Sequence, residues 1–399
     1  MSERAPWLVV IGLGEDGPDG LTGASRAALE QAEIVMGPPR HLGLLPELRA
    51  EKVAWPVPFA DGLDLLDRYR GRPVAVLASG DPFWFGAGSV IARRFADHEW
   101  RVLPGVSCFS LAAARLGWAL EKTLCMGLHA APLSRLRPHL ARGVRLIVTL
   151  RDGAAVSELA RYLDGLGFGT SQLWVMEALG GPREKVTRLA AQDVPDGFEH
   201  PVVAAIEVAG EGAALPKVSG LDDDFFDSDG VMTKRPVRAL TLSALAPKPF
   251  EQLWDIGGGS GSIGIEWLLR DPTVEAVTVE PRADRIGLIR ANAQALGVDR
   301  LQVVEGRAPD VLTGLPRPDV VFVGGGLGIG LLDWLYRNLP EGTRLVANAV
   351  TLESEALLIA AQADRGGTLL RVELAEAGAL GPRRGWKSAY PVVQWSVTL

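Results

Sequence analysis

The sequence predicts an α/β protein built of two domains, and three observations predict it. Short apolar runs of strand length alternate with amphipathic segments from Trp7–Ile11 to Val392–Leu399. Glycine-rich turns follow many of those runs, and the 47 glycines and 27 prolines suit many short βα connections. A chain of 399 residues is long enough for two or three domains, each with its own core. Periodicity is lost over Gly210–Pro216. That sets boundaries at 1–212 for the first domain, 213–226 for a linker and 227–399 for the second.

Composition removes several classes of function. A net charge of −7 and a pI near 5.4 argue against nucleic acid or an anionic membrane as partner. The two cysteines, Cys108 and Cys125, are far apart and outside any zinc spacing, which fits a reduced, cytoplasmic compartment. The five histidines, His41, His98, His129, His139 and His200, are scattered as surface or structural residues, and no metal set is expected. Glu3 and Arg4 precede a short apolar run without a signal-peptide pattern. No apolar run reaches the roughly 20 residues of a membrane helix.

In the first half, Trp7–Ile11 reads as a buried strand running into Gly12-Leu-Gly14-Glu15-Asp16-Gly17. That loop matches G-x-G-x-x-G, but Pro18 and Gly20 stop a helix from starting there, so a dinucleotide reading is poor. The helix begins after Thr22 as N-cap and runs through Leu29. Ile34–Met36 and Pro73–Leu77 are the next strands, the latter ending in Ser79-Gly80-Asp81-Pro82-Phe83. Arg101–Leu103 leads through Pro104-Gly105-Val106-Ser107 into a helix. Arg145–Leu150, Leu173–Glu177 and Pro201–Val208 complete the half. Taken alone, Ser-Gly-Asp-Pro is equally an Asx turn that ends a strand.

The second half opens with Asp222–Asp224 and Asp227–Asp229 around Phe225-Phe226, read as a solvated acidic connector. Thr233 caps a helix with Val237, Leu240, Leu242 and Leu245 as its apolar face. Lys234, Arg235 and Arg238 gather near the start of that helix, where cations oppose the dipole; an anionic ligand or plain solvated charge would explain them. Glu251–Ile256 is a buried strand, followed by Asp255-Ile-Gly257-Gly258-Gly259-Ser260-Gly261 and a helix over Ser262–Arg270. Val274–Glu280 is the next strand and ends in an acid placed for a ribose hydroxyl. Asp255, Gly257, Gly259 and Gly261 give D-x-G-x-G-x-G, a cradle for S-adenosyl-L-methionine (SAM), whereas Gly259, Gly261 and Gly264 give the dinucleotide pattern. Asp255 at the strand end favours SAM, because a carboxylate suits an ammonium group and sits badly beside a pyrophosphate. Leu301–Val304, Pro318–Val323 and Thr343–Ala349 follow as strands, and Leu369–Glu373 and Val392–Leu399 form a terminal pair.

The Gly12-x-Gly14 loop, Ser79-Gly80-Asp81-Pro82 and Pro104-Gly105-Val106-Ser107 resemble, in order and spacing, the tetrapyrrole (uroporphyrin/corrin) methylases over about the first 210 residues. The resemblance implies a two-lobed fold with SAM near Gly80, Asp81, Phe83, Val106 and Ser107, and with Thr149, Leu150 and Met176 beside it. The first loop departs from that family's commoner Gly-Pro-Gly-Asp-Pro. From about residue 227 the chain resembles the precorrin-8w decarboxylating methyltransferase type, a Rossmann-like class I fold. The carriers are Thr233-Lys234, the Asp255–Gly261 loop, Glu280, Glu305-Gly306-x-Ala308-Pro309, Phe322–Gly326 and Asn348-Ala349-Val350-Thr351-Leu-Glu353. This resemblance implies SAM contacts at Thr233, Asp255, Gly257, Gly258, Gly259, Ser260, Gly261, Glu280, Gly306 and Ala308. Arg307 stands where an acid is common.

A corrin methylase joined to such a partner resembles the bifunctional methyltransferases of cobalamin biosynthesis. It implies methylation of precorrin-6B at carbons 5 and 15 and loss of the ring C acetate carboxyl to give precorrin-8. Methyl transfer from a sulfonium needs in-line approach and no metal; proximity and orientation lower such barriers by at most roughly 7–11 kcal/mol. No residue is assigned to acid–base catalysis. A polycarboxylate substrate calls for cations, and Lys234, Arg235, Arg238, Arg383, Arg384 and Lys387 are the clustered ones. Two other readings stand beside this: an NAD-dependent dehydrogenase, and a sensor that binds SAM or a tetrapyrrole without turnover. Trp84 and Phe85, if exposed, favour a homo-oligomer.

Overall fold

A computed structural model describes residues 6–399, so Glu3 and Arg4 lie outside the described residues. The chain forms two compact units. The first takes in the described residues through 132 together with 141–213, and the second takes in 133–140 and 214–399.

The first unit contains two sheets. Its N-terminal part runs β1 (Leu8–Leu13), α1 (Gly23–Gln31), β2 (Ile34–Gly37), α2 (Pro39–Leu44), β3 (Glu51–Ala54), α3 (Phe59–Arg68), β4 (Val74–Ser79), α4 (Gly88–Arg94) and β5 (Trp100–Leu103). These strands make a parallel sheet in the order β3-β2-β4-β1-β5. Every residue of β1 is buried, as expected of a central parallel strand covered on both faces. Thr22 caps α1 by accepting from Ser25 N at 3.1 Å, the helix start read from the sequence. The rest of the unit runs α5 (Cys108–Leu116), β6 (Leu124–Gly127), β7 (Arg145–Thr149), α6 (Ala154–Gly165), β8 (Gln172–Glu177), β9 (Lys185–Ala190) and β10 (Val202–Glu207). Its sheet, β6-β7-β10-β8-β9, is mixed.

The second unit runs α7 (Arg235–Leu245), β11 (Gln252–Ile256), α8 (Ser262–Arg270), β12 (Glu275–Glu280), α9 (Ala283–Ala295), β13 (Gln302–Glu305), β14 (Val320–Val323), α10 (Ile329–Asn338), β15 (Arg344–Ala349) and α11 (Leu352–Arg365). Four late strands follow: β16 (Thr368–Val372), β17 (Ala375–Leu380), β18 (Arg383–Ser388) and β19 (Val392–Thr398). The seven-stranded sheet has the order β13-β12-β11-β14-β15-β19-β16. Strands β11 to β15 are parallel, and β19 runs antiparallel to both β15 and β16. Strand order reverses between β11 and β14. In an open α/β sheet that reversal leaves a crevice at the carboxyl ends of the two strands, where ligands bind. Strands β17 and β18 form a separate hairpin.

Three sequence expectations are corrected here. The acidic segment 222–229 is not simply solvated: its Phe226 is buried in the core of the second unit with Leu242 and Trp267, as are Leu215 and Leu221 just before it. Three of its acidic residues are paired, Asp222 with Arg235, Asp223 with Arg238 and Lys234, and Asp229 with Arg285. Helix α7 is capped at Lys234 rather than Thr233, and Leu240 is exposed while Val237, Leu242 and Leu245 face the core. Arg238 has no exposed surface and cannot meet a substrate. Its Nε donates to Glu266 Oε1 at 2.6 Å, Nη1 donates to Asp223 Oδ1 at 3.0 Å, and the backbone oxygens of Thr233 and Leu221 accept from it as well. Glu266, equally buried, also accepts from Gly220 N at 2.7 Å and Leu221 N at 2.9 Å.

Removing one member of a fully buried pair leaves the other charge without compensation, at about 3–5 kcal/mol. Arg238→Met should therefore lower unfolding free energy in urea by about that amount. Adding Glu266→Leu should recover part of the loss. Equal destabilisation by the single and double variants would contradict the assignment.

Candidate active site

The crevice in the second unit opens into a cavity of about 740 Å³. Its floor is the glycine-rich turn between β11 and α8. Gly257 has φ +80, and a Cβ there would come within 2.6 Å of the Gly325 Cα on the turn after β14. Only glycine permits both that conformation and that approach. Gly257 N donates to Val279 O at 2.9 Å, which holds the turn against the end of β12. Glu280, at the end of β12, accepts from Gly259 N at 2.9 Å and from Arg282 N at 3.1 Å. Its carboxylate is thus fixed at the cavity wall.

Asp255 lies beneath this turn and is almost fully buried. Its Oδ2 accepts from Gly264 N and from Thr278 Oγ1, each at 3.2 Å. Desolvation is the largest influence on its carboxyl and pushes it up to about 7, against those two hydrogen bonds; the nearby Glu280 charge raises it further. Ser260 is also buried in the wall, and its Oγ has no hydrogen-bond partner. A buried hydroxyl left unsatisfied beside a cavity marks a place where a ligand atom completes the bonding.

The structure places Thr233, Asp255, Gly257, Gly258, Gly259, Ser260, Glu280, Gly306 and Ala308 on this one cavity. Gly261 is a correction. It is the N-cap of α8 with φ +77, packed toward Ile289, and it turns the chain rather than lining the cavity. Of the basic candidates, Lys234 lines the cavity while its Nζ lies 3.6 Å from Asp223 Oδ2. Arg235 is half-exposed and pairs with Asp222 at 3.5 Å. Arg383, Arg384 and Lys387 lie on β18 of the exposed hairpin, outside the cavity lining, although Leu374, Ala389 and Tyr390 at its base do line it. Arg285, which the sequence reading passed over, lines the wall and is held by Asp229 at 2.8 Å.

In the first unit the three glycine-bearing loops leave the neighbouring strands β4, β1 and β5 side by side. Gly105 N donates to Gly80 O at 3.0 Å, and Gly80 N donates to Leu13 O at 3.0 Å. Gly80 has φ +53, and a Cβ there would stand 3.0 Å from Ser107 Cα and Val106 O. Asp81 Oδ1 accepts from Phe83 N at 2.9 Å, so an Asx turn shapes this loop. Phe83 and Val106 are exposed. Ser107 Oγ caps α5 by accepting from Ser110 N at 3.1 Å. Thr149 Oγ1 pairs with His129 Nδ1 at 3.2 Å. Leu150 is buried, and Met176 is completely buried in a core with Phe109 and Ile147, so Met176 offers no exposed side chain to a ligand.

The same unit carries a polar cluster that the sequence did not announce. Glu15, from the first loop, is buried and ion-paired with Arg40, and Arg183 Nη2 lies 3.5 Å from it. Arg40 Nη2 contacts His41 Nε2 at 2.8 Å and donates to Ser79 Oγ at 3.1 Å. Burial, with Arg40 adding to it, pushes the His41 imidazole down to about 4, so it is neutral near pH 7. These partners are 25 to 168 positions from Glu15, and no local spacing signals them. No group of His, Cys, Asp and Glu side chains suited to a metal occurs among the described residues.

Residues 7–195 match the family described as Tetrapyrrole (Corrin/Porphyrin) Methylases, and residues 224–399 match the Precorrin methyltransferase domain. The chain is 50% identical over 399 residues to the Precorrin-6Y C(5,15)-methyltransferase (decarboxylating) of Sinorhizobium sp, covering 99% of this chain and 97% of that one. It is 40% identical over 400 residues to the protein of the same description from Mycobacterium tuberculosis, covering 98% and 99%. A crystal structure of the C-terminal domain of precorrin-6Y C5,15-methyltransferase from Rhodobacter capsulatus is 50% identical. It covers 46% of this chain and 100% of that chain, with a TM-score of 0.45.

An acid held above its ordinary value is stabilising below the unfolded pKa, near pH 4, and that contribution is lost as pH rises through about 7. Asp255→Asn removes the titration. Thermal melts without ligand from pH 4 to pH 8 should show the variant gaining on the wild type as pH rises. A difference that stays constant across the range would mean that Asp255 does not titrate there.

Proposed function

The chain belongs to the decarboxylating precorrin-6Y C(5,15)-methyltransferase family, and on that premise we propose how its residues divide the work. The protein is a bifunctional SAM-dependent C-methyltransferase of cobalamin biosynthesis that methylates carbons 5 and 15 of its precorrin substrate and removes an acetate carboxyl. The dehydrogenase and sensor readings have no support once the family is known. Residues 1–212 serve as the tetrapyrrole methylase domain, 213–226 as the join, and 227–399 as the class I methyltransferase and decarboxylase. The substrate form is precorrin-6B, and the product is precorrin-8.

The observation that carries this reading is the glycine turn with Glu280 and the unpartnered Ser260 Oγ on one cavity at the reversal of strand order. That set fits SAM. Glu280 would take the ribose hydroxyls, Gly306 and Ala308 the adenine side, and the turn from Gly257 to Ser260 the amino-acid end. A cation bound beside Asp255 would favour its charged form and lower the carboxyl that burial raises to about 7. In the first unit Gly80, Asp81, Phe83, Val106 and Ser107 form the corresponding contact, with Thr149 at its margin. SAM supplies an electrophilic methyl group on a sulfonium. The protein's part is to fix the acceptor carbon in line and to exclude water.

Lys234 and Arg235 hold substrate carboxylates at the rim. Arg383, Arg384 and Lys387 on the hairpin take the peripheral ones of a macrocycle that reaches beyond the cavity. Arg238 is left out, because it has no exposed surface and four of its five N–H donors go to Glu266, Asp223 and the backbone. The protein self-associates: Trp84, Phe85, Leu380 and Trp386 are exposed apolar surface of the kind that copies of a chain cover. It acts in the cytoplasm, in keeping with the two free cysteines. Among the described residues no helix is long and apolar enough to cross a membrane.

The mass of the tetrapyrrole after incubating the full chain with precorrin-6B and SAM tests the reading. Two methyl groups should be gained and carbon dioxide lost. Gly257→Ala should leave the acetate carboxyl in place, and Gly80→Ala should give a decarboxylated product lacking one methyl group. Carbon dioxide release unaffected by Gly257→Ala would overturn the division of labour.

A further inference from the structure

We propose that Asn348 is a substrate-anchoring residue of the second unit, donating its free amide N–H to a carboxylate oxygen of the tetrapyrrole, and that Thr241 and Gln394 act through it as positioning residues. The inference rests on the functional reading above and adds an acceptor-side contact to it.

Asn348 sits at the carboxyl end of β15 and lines the cavity. Directly opposite, Gln394 on β19 is its antiparallel partner. Thr241 comes from α7, which packs on both strands, and it has no exposed surface. Three neutral polar side chains from three elements therefore meet behind one wall. Burying them costs free energy unless each is satisfied, and apolar residues would fill the same space without that demand.

The bonding is complete at the back of the cluster and fixes how Asn348 faces. Thr241 Oγ1 donates to Val237 O at 2.9 Å. It accepts from Gln394 Nε2 at 3.1 Å and from Asn348 Nδ2 at 2.9 Å. One donor and two acceptor positions exhaust a hydroxyl. With its hydrogen committed to Val237, Thr241 can only accept, so the nitrogen of Asn348 must face it. Gln394 Nε2 also donates to Asn348 Oδ1 at 3.0 Å, which sets the amide the same way round. One Asn348 N–H is thereby spent. The second has no protein acceptor among the described residues, and it belongs to a side chain on the cavity wall.

Its place in the sheet says which ligand it meets. The glycine turn and Glu280 lie at the ends of β11 and β12, and Asn348 lies two strands across, past β14. Two strand spacings are roughly 10 Å. Val350, Tyr390 and Val392 line the same part of the cavity, so the wall is largely apolar with one oriented donor. An apolar surface with a single fixed N–H suits a flat conjugated ring whose edge carries carboxylates. It offers nothing to a ribose or an adenine edge already served on the β12 and β13 side.

The test uses the full chain and reads carbon dioxide release with precorrin-6B and SAM, together with melting of the free protein. Asn348→Asp keeps the shape and replaces the donor by an acceptor. It should raise the KM for the tetrapyrrole by roughly tenfold or more with the KM for SAM near wild type, and it should lower the melting temperature, because its second oxygen faces the accepting Thr241 Oγ1. Thr241→Val frees the amide to turn and should raise the same KM by a smaller factor. Asn348→Ser, which restores a neutral donor, should recover part of the loss. A tetrapyrrole KM unchanged in Asn348→Asp would overturn the inference, and so would equal losses for both ligands. Wild-type chain that releases no carbon dioxide would instead overturn the functional reading, and this inference with it.

Discussion

A charged pair with no exposed surface, Arg238 with Glu266, holds the second unit's working parts together. Arg238 belongs to α7 and Glu266 to α8, the helix that follows the glycine turn. The same carboxylate accepts from the backbone at Gly220 and Leu221, and the same guanidinium reaches the carbonyls of Leu221 and Thr233. Through these bonds the segment entering the unit, the cavity rim at Thr233 and the helix bearing Thr241 are all referred to α8. Desolvating two charges is expensive, and replacing such a pair with apolar residues is often neutral. What the pair adds is direction: an apolar contact would tolerate sliding of α7, whereas a guanidinium with four of its five donors committed does not.

The two units share one backbone feature, the close approach of glycine-bearing turns at the ends of adjacent strands. Gly12, Gly80 and Gly105 crowd one another at the ends of adjacent strands, as Gly257 and Gly325 do in the other sheet. A side chain at such a crossing would separate the turns and close the space for a ligand. The acids behind these crossings differ. Glu15 is already matched by Arg40 and Arg183. Asp255 has only Gly264 N–H and a threonine hydroxyl, with Glu280 nearby as a like charge. The first arrangement is electrostatically closed, whereas the second has no cation beside its acid among the described residues.

Much of this was legible in the sequence, and the rest was not, for identifiable reasons. Strand β11, the glycine turn and helix α8 are local: apolar runs, glycines and a helix start lie within 20 residues, so their meaning survives without tertiary contacts. Thr22 as a helix cap is legible for the same reason. Arg238 was misread because clustering with Lys234 and Arg235 suggested a surface, while its partner stands 28 positions away on another helix. Asp222, Asp223 and Asp229 looked solvated because their arginine partners lie 13, 15 and 56 positions away, beyond any local spacing. Strands β3, β9, β17 and β18 carry too many exposed residues for an apolar run to mark them, and β6 is short and only partly buried.

The Thr241, Asn348 and Gln394 cluster is the extreme case of that limit, with separations of 107 and 153 positions from Thr241. Asn348 stood in a segment that carried the resemblance, but nothing in the sequence paired it with Thr241 or Gln394. Threonine in a helix ordinarily bonds back to the preceding turn, as Thr241 does to Val237, and that alone would be a minor local feature. The meaning changes because that bond uses the only hydrogen of the hydroxyl. A hydroxyl that can only accept becomes a fixed reference for any amide beside it, and two amides from adjacent strands settle against it. Helix α7 is positioned by Arg238 three residues earlier, so the charged pair and the neutral cluster form one chain of constraint. It runs from a buried ion pair through a helix to the orientation of a single amide on the cavity wall.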